Sequence, residues 1–279
     1  LICTLSLICL CSFFLFILRE LKTKNPIVDL RIFANRNFLI CTILVFIWGI
    51  IIFATQYILP VFIARTRGLD GTTIASMVYI MGAAQVASGF LALFLFKVVN
   101  RRTVAFIGFI MLATGTWLQG FMISEIGLNE IIWPQIIRGL SAQLCFLPLV
   151  LLSIGYLPSD KIKDGSGLYS LMNRLGAAIG IAASNTLFEL KITENYLEIS
   201  NITSKVLYQS QLFLTKLNNL IPKYLSNSPE KIKIASEILY KIGIEEASAM
   251  AFNQIMLIMG IMALVISPLI FFVKGLKKE

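Results

Sequence analysis

The sequence contains no histidine, the side chain most often used as a general base and as a metal ligand. Charged residues are also scarce, at 14% of the 279 residues against about 25% in ordinary soluble domains. The sequence has no phosphate-binding loop, dinucleotide fingerprint, metal-ligand cluster or nucleophile elbow. We therefore expect a protein that is not an enzyme and that binds no metal or other cofactor.

Apolar residues, in contrast, are abundant. They make up 57% of the chain. They occur in uninterrupted runs of about 20 residues, the length of a helix that crosses about 30 Å of hydrocarbon. The predicted fold class is an all-α polytopic membrane protein, with the lipid bilayer as a partner. The runs predict seven transmembrane helices, at 1–18, 38–63, 73–96, 103–123, 131–157, 165–189 and 250–273.

The net charge of +9 comes from 24 lysines and arginines against 15 acidic residues. In a soluble protein this charge would suggest a nucleic-acid partner. Here the basic residues concentrate in the loops after the first, third, fifth and seventh predicted helices, as in loops that stay on the cytoplasmic side of a membrane. We therefore expect no nucleic-acid partner, and we place the basic loop 19–37 in the cytoplasm.

A polar segment, 190–249, separates the last two predicted helices and lies on the outer side by the same rule. Ser228-Pro229-Glu230 is typical of a helix start, and this helix is predicted to run to about Lys241. Apolar residues within 206–217 suggest a second, amphipathic helix. Two interpretations stay open: a surface or capping element, and a solvated loop with no function of its own.

The chain begins at Leu1, inside an apolar run and without an initiator methionine or a signal-peptide layout. We therefore expect it to be a fragment that starts within a helix.

The predicted helix 165–189 has an arginine, Arg174, near its middle. It also places Gly176, Gly180 and Ser184 four residues apart on one face, a pattern typical of close helix packing. An arginine at mid-membrane should face protein or water, so Arg174 is a candidate cavity-lining residue. The alternative is that its side chain extends towards the cytoplasmic end of the helix.

Other polar and aromatic side chains lie within the predicted spans. Each either lines a cavity or bonds to a neighbouring helix. Arg138 is the second arginine inside a span, whereas no aspartate or glutamate occupies the body of any predicted helix. The partners of the two arginines are therefore expected elsewhere: in a missing part of the protein, in a substrate, or among backbone carbonyls. The candidate cavity-lining residues are Trp48, Gln56, Gln85, Arg138, Tyr169, Asn173 and Arg174.

Several segments, taken in order, resemble the fourteen-helix drug:proton antiporters of the major facilitator superfamily. The matching runs are NPIVDLRIFANRNF, YILPVFI, KVVNRR, PQIIRGL and GLYSLMNRLGAAIGIA. The resemblance is to the C-terminal half of those proteins and covers nearly the whole chain. Two positions depart from the family pattern: Asn173 stands where an arginine is usual and is followed by Arg174, and Ala64 replaces a glutamine.

The resemblance implies the domain organisation. Residues 1–18 would be the last of two extra central helices, truncated here, and 38–279 would form the C-terminal six-helix bundle, with 190–249 as a long extracytoplasmic loop. It also implies a multidrug exporter of the bacterial inner membrane, in which two bundles rock about a central cavity. Protons would move inward as lipophilic cations or other small amphiphiles leave.

The implied partners are the missing N-terminal half, the amphiphilic substrate and protons, with a periplasmic adaptor protein as a further candidate. The alternative function is a non-transporting fragment or remnant of a split transporter gene, because half a carrier has only one wall of its cavity. A seven-helix receptor fits the helix count but not the truncated first helix.

Overall fold

The structure is a computed structural model. It describes residues 29–67, 71–121, 128–217 and 229–274, together with isolated positions between 4 and 23. Six long helices account for most of the described residues, which contain no strand, and the all-α fold class is confirmed. The helices are α1 (Arg36–Arg67), α2 (Gly71–Val98), α3 (Arg101–Gln119), α4 (Leu128–Ile154), α5 (Ile162–Leu217) and α6 (Pro229–Ile266).

These helices correspond to the second to seventh predicted helices. Five of the described helices are long and apolar enough to cross a membrane by length and composition. The helix outside this set is α3, which has 19 residues, starts with Arg101 and Arg102 and ends at Gln119. Of the first predicted helix only isolated positions are described; those, such as Phe14 and Leu15, are helical and exposed.

The last two helices are longer than the sequence predicts. The predicted sixth helix ends at Glu189, but α5 has 56 residues and continues to Leu217. The last helix begins at Pro229, where the helix-start pattern lies, yet it runs without a break to Ile266 and not only to Lys241. The segment 190–249 is therefore helical wherever it is described, while its position outside the membrane stays a prediction.

Contacts between these two extensions explain why the helices continue. Asn195 Nδ2 donates to the carbonyl of Ala247 at 3.3 Å. The rings of Tyr196 and Tyr240 pack edge to face with centroids 5.3 Å apart. Such contacts stabilise an antiparallel helix pair across a large sequence separation, which local sequence patterns do not report.

The core of the bundle forms around α1, which contacts α4, α5 and α6. Phe62 of α1 stacks on Phe252 of α6 with ring centroids 4.4 Å apart. The most apolar stretch of α1 is 61% buried inside the chain, whereas that of α2 is only 17% buried. Since α2 packs mainly on α4, it lies at one edge of the bundle with much of its apolar surface exposed.

Polar contacts join the helices at the end of the bundle where the basic loops lie. Asp29 accepts from the backbone N–H of Arg31, which caps a short 3₁₀ turn, Leu30–Ala34, and it also pairs with Lys161 at 2.9 Å. Asn37 donates to the carbonyl of Lys274 at 3.4 Å and accepts from its N–H at 2.9 Å. The entry to α1 is thereby fixed to the start of α5 and to the segment that follows α6.

Candidate functional site

The predicted small-residue face of α5 lies against α1. A Cβ atom added to Gly176 would overlap the carbonyl oxygen of Phe46, and one added to Gly180 would overlap that of Ile50. Ser184 is fully buried further along the same face. The glycines therefore allow the two backbones to approach more closely than any larger residue permits.

An aromatic cluster lies beside this interface where α1, α4 and α5 meet. The ring centroids of Trp48 and Phe146 are 5.3 Å apart, and those of Phe146 and Tyr169 are 5.8 Å apart. The Tyr169 hydroxyl donates to the carbonyl of Phe146 over a long 3.5 Å. Phe146 stands two residues before Pro148, which lies inside α4 and cannot donate a helical hydrogen bond. We use the name aromatic cluster for the rings of Trp48, Phe146 and Tyr169 together with Asn173, which lies one helical turn after Tyr169.

The aromatic cluster keeps one donor and one acceptor without partners. Trp48 is only 5% exposed, and its Nε1–H finds no acceptor among the described residues. The Oδ1 of Asn173 is likewise buried and accepts no hydrogen bond there. Asn173 also faces α1, because its Oδ1 would lie 3.0 Å from a Cβ added to Gly49. A buried unpaired polar group costs about 1–3 kcal/mol, so the cluster is suited to a group that both donates and accepts a hydrogen bond.

Arg174 lies on an exposed face of α5. It takes part in none of the hydrogen bonds or ion pairs found in the described part of the chain. Along the helix axis it is about 16 Å from Lys163, at a rise of about 1.5 Å per residue. A cation at this depth of a membrane span faces water or another protein surface, so Arg174 is available to a ligand or to a second bundle.

Arg138 occupies a different environment from Arg174. Its side chain is fully buried, and its Nη1 donates to Gln119 Oε1 at 2.6 Å and to Gln135 Oε1 at 3.2 Å. Its Nη2 donates to the hydroxyl of Thr55. The three partners are uncharged and stand on α3, α4 and α1, so Arg138 joins three helices inside the bundle. Gly115 of α3 provides the space, since an added Cβ would lie 2.6 Å from Arg138 Cγ.

The two predicted glutamines lie near the contact between α1 and α2. Gln56 Nε2 donates to Met81 Sδ at 3.8 Å, and Met81 is one helical turn from Gln85. Both glutamines are half-buried. The backbone of α2 approaches α4 at Gly139, where an added Cβ would lie 2.5 Å from the Met81 carbonyl oxygen. Of the predicted cavity-lining residues, the fold brings together Trp48, Tyr169 and Asn173. Arg138 and the two glutamines lie in separate contacts.

Sequence reasoning missed several residues of these sites. Thr55, Phe146 and Gly49 were not singled out, although each contacts a predicted residue. Asn185 was also missed; its Oδ1 accepts from the Tyr57 hydroxyl at 3.1 Å. The contacts join helices that are distant in the chain, and a single sequence carries no signal for such pairs.

An ion pair joins α1 and α5 towards the predicted outer side. Arg65 Nη1 lies 2.9 Å from Glu189 Oε1, and the same guanidinium lies 5.8 Å from the ring centroid of Phe188. The Tyr57–Asn185 bond lies one helical turn away along α5 and about two turns away along α1, and with it this pair holds the outer parts of the two helices together.

Comparison with curated proteins identifies several bacterial transport and resistance proteins that are similar to this chain. The colistin resistance protein EmrB of Acinetobacter baumannii is 26% identical over 273 residues, which cover 98% of this chain and 52% of that protein. The multidrug export protein EmrB of Escherichia coli is 25% identical over 203 residues, 72% of this chain and 40% of that protein. The fatty acid resistance protein FarB of Neisseria gonorrhoeae is 26% identical over 196 residues, 67% of this chain and 37% of that protein.

The chain therefore spans about half the length of the curated relatives it matches. The sequence pattern of a single family, the Major Facilitator Superfamily, matches residues 1–181, which is more than half of the chain. Together with the apolar helices of the bundle, this match agrees with a multi-pass membrane transporter. The chain belongs to the Major Facilitator Superfamily.

Proposed function

We propose that the chain is the C-terminal half of a proton-driven multidrug efflux transporter of the bacterial inner membrane, working by alternating access. The observation that carries the proposal is the aromatic cluster, with its free donor and acceptor, whose member Asn173 directly precedes the exposed Arg174. Aromatic faces bind the apolar body of an amphiphile, and the polar groups orient it. The likeness to two resistance proteins and a multidrug export protein, each matched over about half its length or less, supports the same conclusion.

The exposed face of α5 is the surface on which we place the N-terminal half. This helix exposes apolar side chains that the described bundle leaves uncovered, including Leu171 and Ile179. The central cavity would then form between the two halves, with Arg174 on its wall. This arrangement gives a water-filled or protein environment to a cation that lipid would not accept.

The proton-carrying carboxylate is assigned to the other half. Over their described residues α1, α2 and α3 contain no aspartate or glutamate, and α4 has only Glu130, in its first turn. A proton-coupled carrier needs a group that titrates within the membrane. In this proposal the present half binds and positions the amphiphile, and the N-terminal half couples that binding to protons. A periplasmic adaptor remains a candidate partner for 190–249.

The test uses the complete transporter, reconstituted in vesicles with a panel of amphiphilic dyes and an imposed proton gradient. Arg174→Ala should reduce dye export and dye binding several-fold without lowering the melting temperature, because its side chain is exposed and makes no hydrogen bond or ion pair in the described bundle. Ser170→Ala, one turn away on the same exposed face, is the matched control and should leave export unchanged. Unchanged export and binding in Arg174→Ala would show that the assigned role is wrong.

A second measurement addresses the aromatic cluster. Trp48→Phe keeps the ring but removes the indole N–H, and we expect weaker binding of those dyes that carry a hydrogen-bond acceptor. Dyes without an acceptor should bind as before. The alternative, a non-transporting remnant, is tested by reading the DNA upstream of Leu1: a stop codon supports it, and an in-frame continuation with about seven hydrophobic segments supports the transporter.

A further inference from the structure

The short turn between α2 and α3 concentrates positive charge. Lys97 lies in the last turn of α2, and Arg101 and Arg102 open α3 after only two intervening residues beyond Val98. None of the ion pairs found in the described part of the chain includes these three side chains. The Nε of Arg102 is buried and finds no acceptor there. We call these three residues the basic turn.

An exposed apolar row on α2 leads directly into the basic turn. Phe90, Phe94 and Val98 follow one another at four-residue spacing, so they lie on one face of the helix. Their exposed fractions are 73%, 63% and 68%. This row extends for two helical turns, about 11 Å along the helix axis, away from the positive charge.

We propose that the basic turn and the apolar row together bind one anionic phospholipid on the cytoplasmic side of the membrane. The lipid phosphate would accept hydrogen bonds from Lys97, Arg101 and the guanidinium of Arg102. One acyl chain would lie along Phe90 and Phe94. A row of apolar side chains that ends in three unpaired cations is complementary in both shape and charge to such a lipid.

Other basic residues at this end of the bundle are spread over separate elements. Arg31, Arg36 and Lys163 stand on three different elements, and Lys161 already pairs with Asp29. A general attraction of basic residues to anionic lipid would act on all of these positions, whereas a defined lipid site depends on the basic turn alone. The two cases make different predictions for matched variants.

The experiment measures phospholipid binding to the purified protein in nanodiscs of phosphatidylcholine, titrated with phosphatidylglycerol. The triple variant Lys97→Gln, Arg101→Gln, Arg102→Gln should bind phosphatidylglycerol about tenfold more weakly. The control triple Arg31→Gln, Arg36→Gln, Lys163→Gln removes the same charge from the same side. It should bind within about twofold of the unmodified protein.

Equal weakening in both triples, or no preference for phosphatidylglycerol in the unmodified protein, overturns the proposal. The double variant Lys97→Gln, Arg101→Gln leaves the half-buried Arg102 in place. It can be compared with the control triple if the basic-turn triple does not fold. Its expected loss of affinity is smaller than that of the triple but larger than that of the control.

A further arm separates a lipid from a free phosphate ion. Phe90→Ser with Phe94→Ser should weaken phosphatidylglycerol binding and leave the weak binding of inorganic phosphate unchanged. If the serine variants bind phosphatidylglycerol normally while inorganic phosphate competes with it, the turn is a site for free anions and the lipid assignment is wrong. The measurement does not depend on transport, so its outcome is independent of the proposed efflux function.

Discussion

The two arginines inside the predicted spans differ in what surrounds them. Arg138 is fully buried and donates to Thr55, Gln119 and Gln135, whereas Arg174 is exposed and unpaired in the described bundle. The difference follows from helix position: α4 is packed between α2 and α3, while the Arg174 face of α5 points away from α1. A buried cation with only neutral partners is held by hydrogen bonds, and removing it takes one donor away from each of those partners.

Replacing Arg138 should therefore affect stability first. We expect Arg138→Ala to lower the free energy of unfolding by about 1–3 kcal/mol, because Gln119, Gln135 and Thr55 lose a shared donor. Arg138→Lys should lower the free energy of unfolding nearly as much, since an ammonium group does not reproduce the guanidinium fork that joins α1 to α3. Thermal melting in detergent provides the measurement.

The matched comparison for Arg138 is Arg174→Ala, which removes the same side chain from an exposed position. It should melt at the temperature of the unmodified protein. An Arg138→Ala variant that is equally stable would contradict the structural role of the buried hydrogen bonds.

The Asp29–Lys161 ion pair predicts a pH dependence. The hydrogen bond from Lys161 is the main reason why the pKa of Asp29 lies below its ordinary value, with the backbone N–H of Arg31 acting in the same direction. A lowered pKa means that the pair stabilises the fold above the ordinary pKa and that this contribution is lost as the pH falls below about 4. Because both side chains are partly exposed, we expect this contribution to stability to be small.

Asp29→Asn isolates this charge, because asparagine keeps the oxygen that caps the 3₁₀ turn. At pH 7 the variant should melt at a slightly lower temperature than the unmodified protein. Its melting temperature should also change less between pH 7 and pH 3. Asp160→Asn, an exposed acid next to Lys161 in the chain, is the control. The losses of stability in Asp29→Asn and Lys161→Gln should be less than additive in the double variant at pH 7; fully additive losses would argue against the pair.

At the scale of the elements, α1 and α5 behave as one unit. They are joined at the basic end through Asp29 and Lys161, in the middle through the glycines, and towards the other end through Arg65 and Glu189. Since the contacts are distributed along the whole length of the pair, motion of α5 relative to α1 would break several of them together. If the proposed alternating access takes place, we expect the two helices to move as a rigid pair.

The glycine contacts provide a test of this pairing. We expect Gly176→Ala to lower the free energy of unfolding by about 1–3 kcal/mol, because the new methyl group would overlap a backbone carbonyl that has no rotamer to change. Gly167→Ala is the matched control on the same helix, where an added Cβ meets no atom within 4 Å. Equal melting temperatures for the two variants would show that the backbones are further apart than the structure has them.

At the scale of the whole molecule, the predicted membrane orientation places the two ends of α5 on opposite sides. Asp160, just before α5, lies at the basic end, and Glu194 lies beyond the ion pair of Arg65 and Glu189. Both side chains are exposed. The helix pair formed by the extensions of α5 and α6 would then project on the outer side, as a rigid element and not as a loop.

Cysteine labelling tests this orientation. In a background without the five native cysteines, Glu194→Cys should react with a membrane-impermeant maleimide on intact spheroplasts. Asp160→Cys should react only after the membrane is permeabilised. The reverse pattern would invert the topology, and reaction of both positions in intact spheroplasts would contradict a membrane crossing between them.

Local patterns were sufficient for part of this description. The apolar runs predicted the helices that became α1 to α6, and Pro229 marked the start of the last one. Patterns failed at the ends of α5 and α6, where Asn195 and Tyr196 contact residues of the other helix. The polar residues of 190–249 favoured an interruption of the helices, and packing between two distant segments outweighed that local preference.

The sequence by itself determined the all-helical membrane class and the family, because both depend on composition and on the order of local motifs along the chain. Only the tertiary structure decided which of the two arginines is buried, and which polar groups lack partners. It also decided that Trp48, Phe146 and Tyr169 meet. The physical reason is that burial and pairing depend on which helix faces are brought together. That choice is made by close backbone contacts such as those at Gly176 and Gly180, and not by the residues adjacent in sequence.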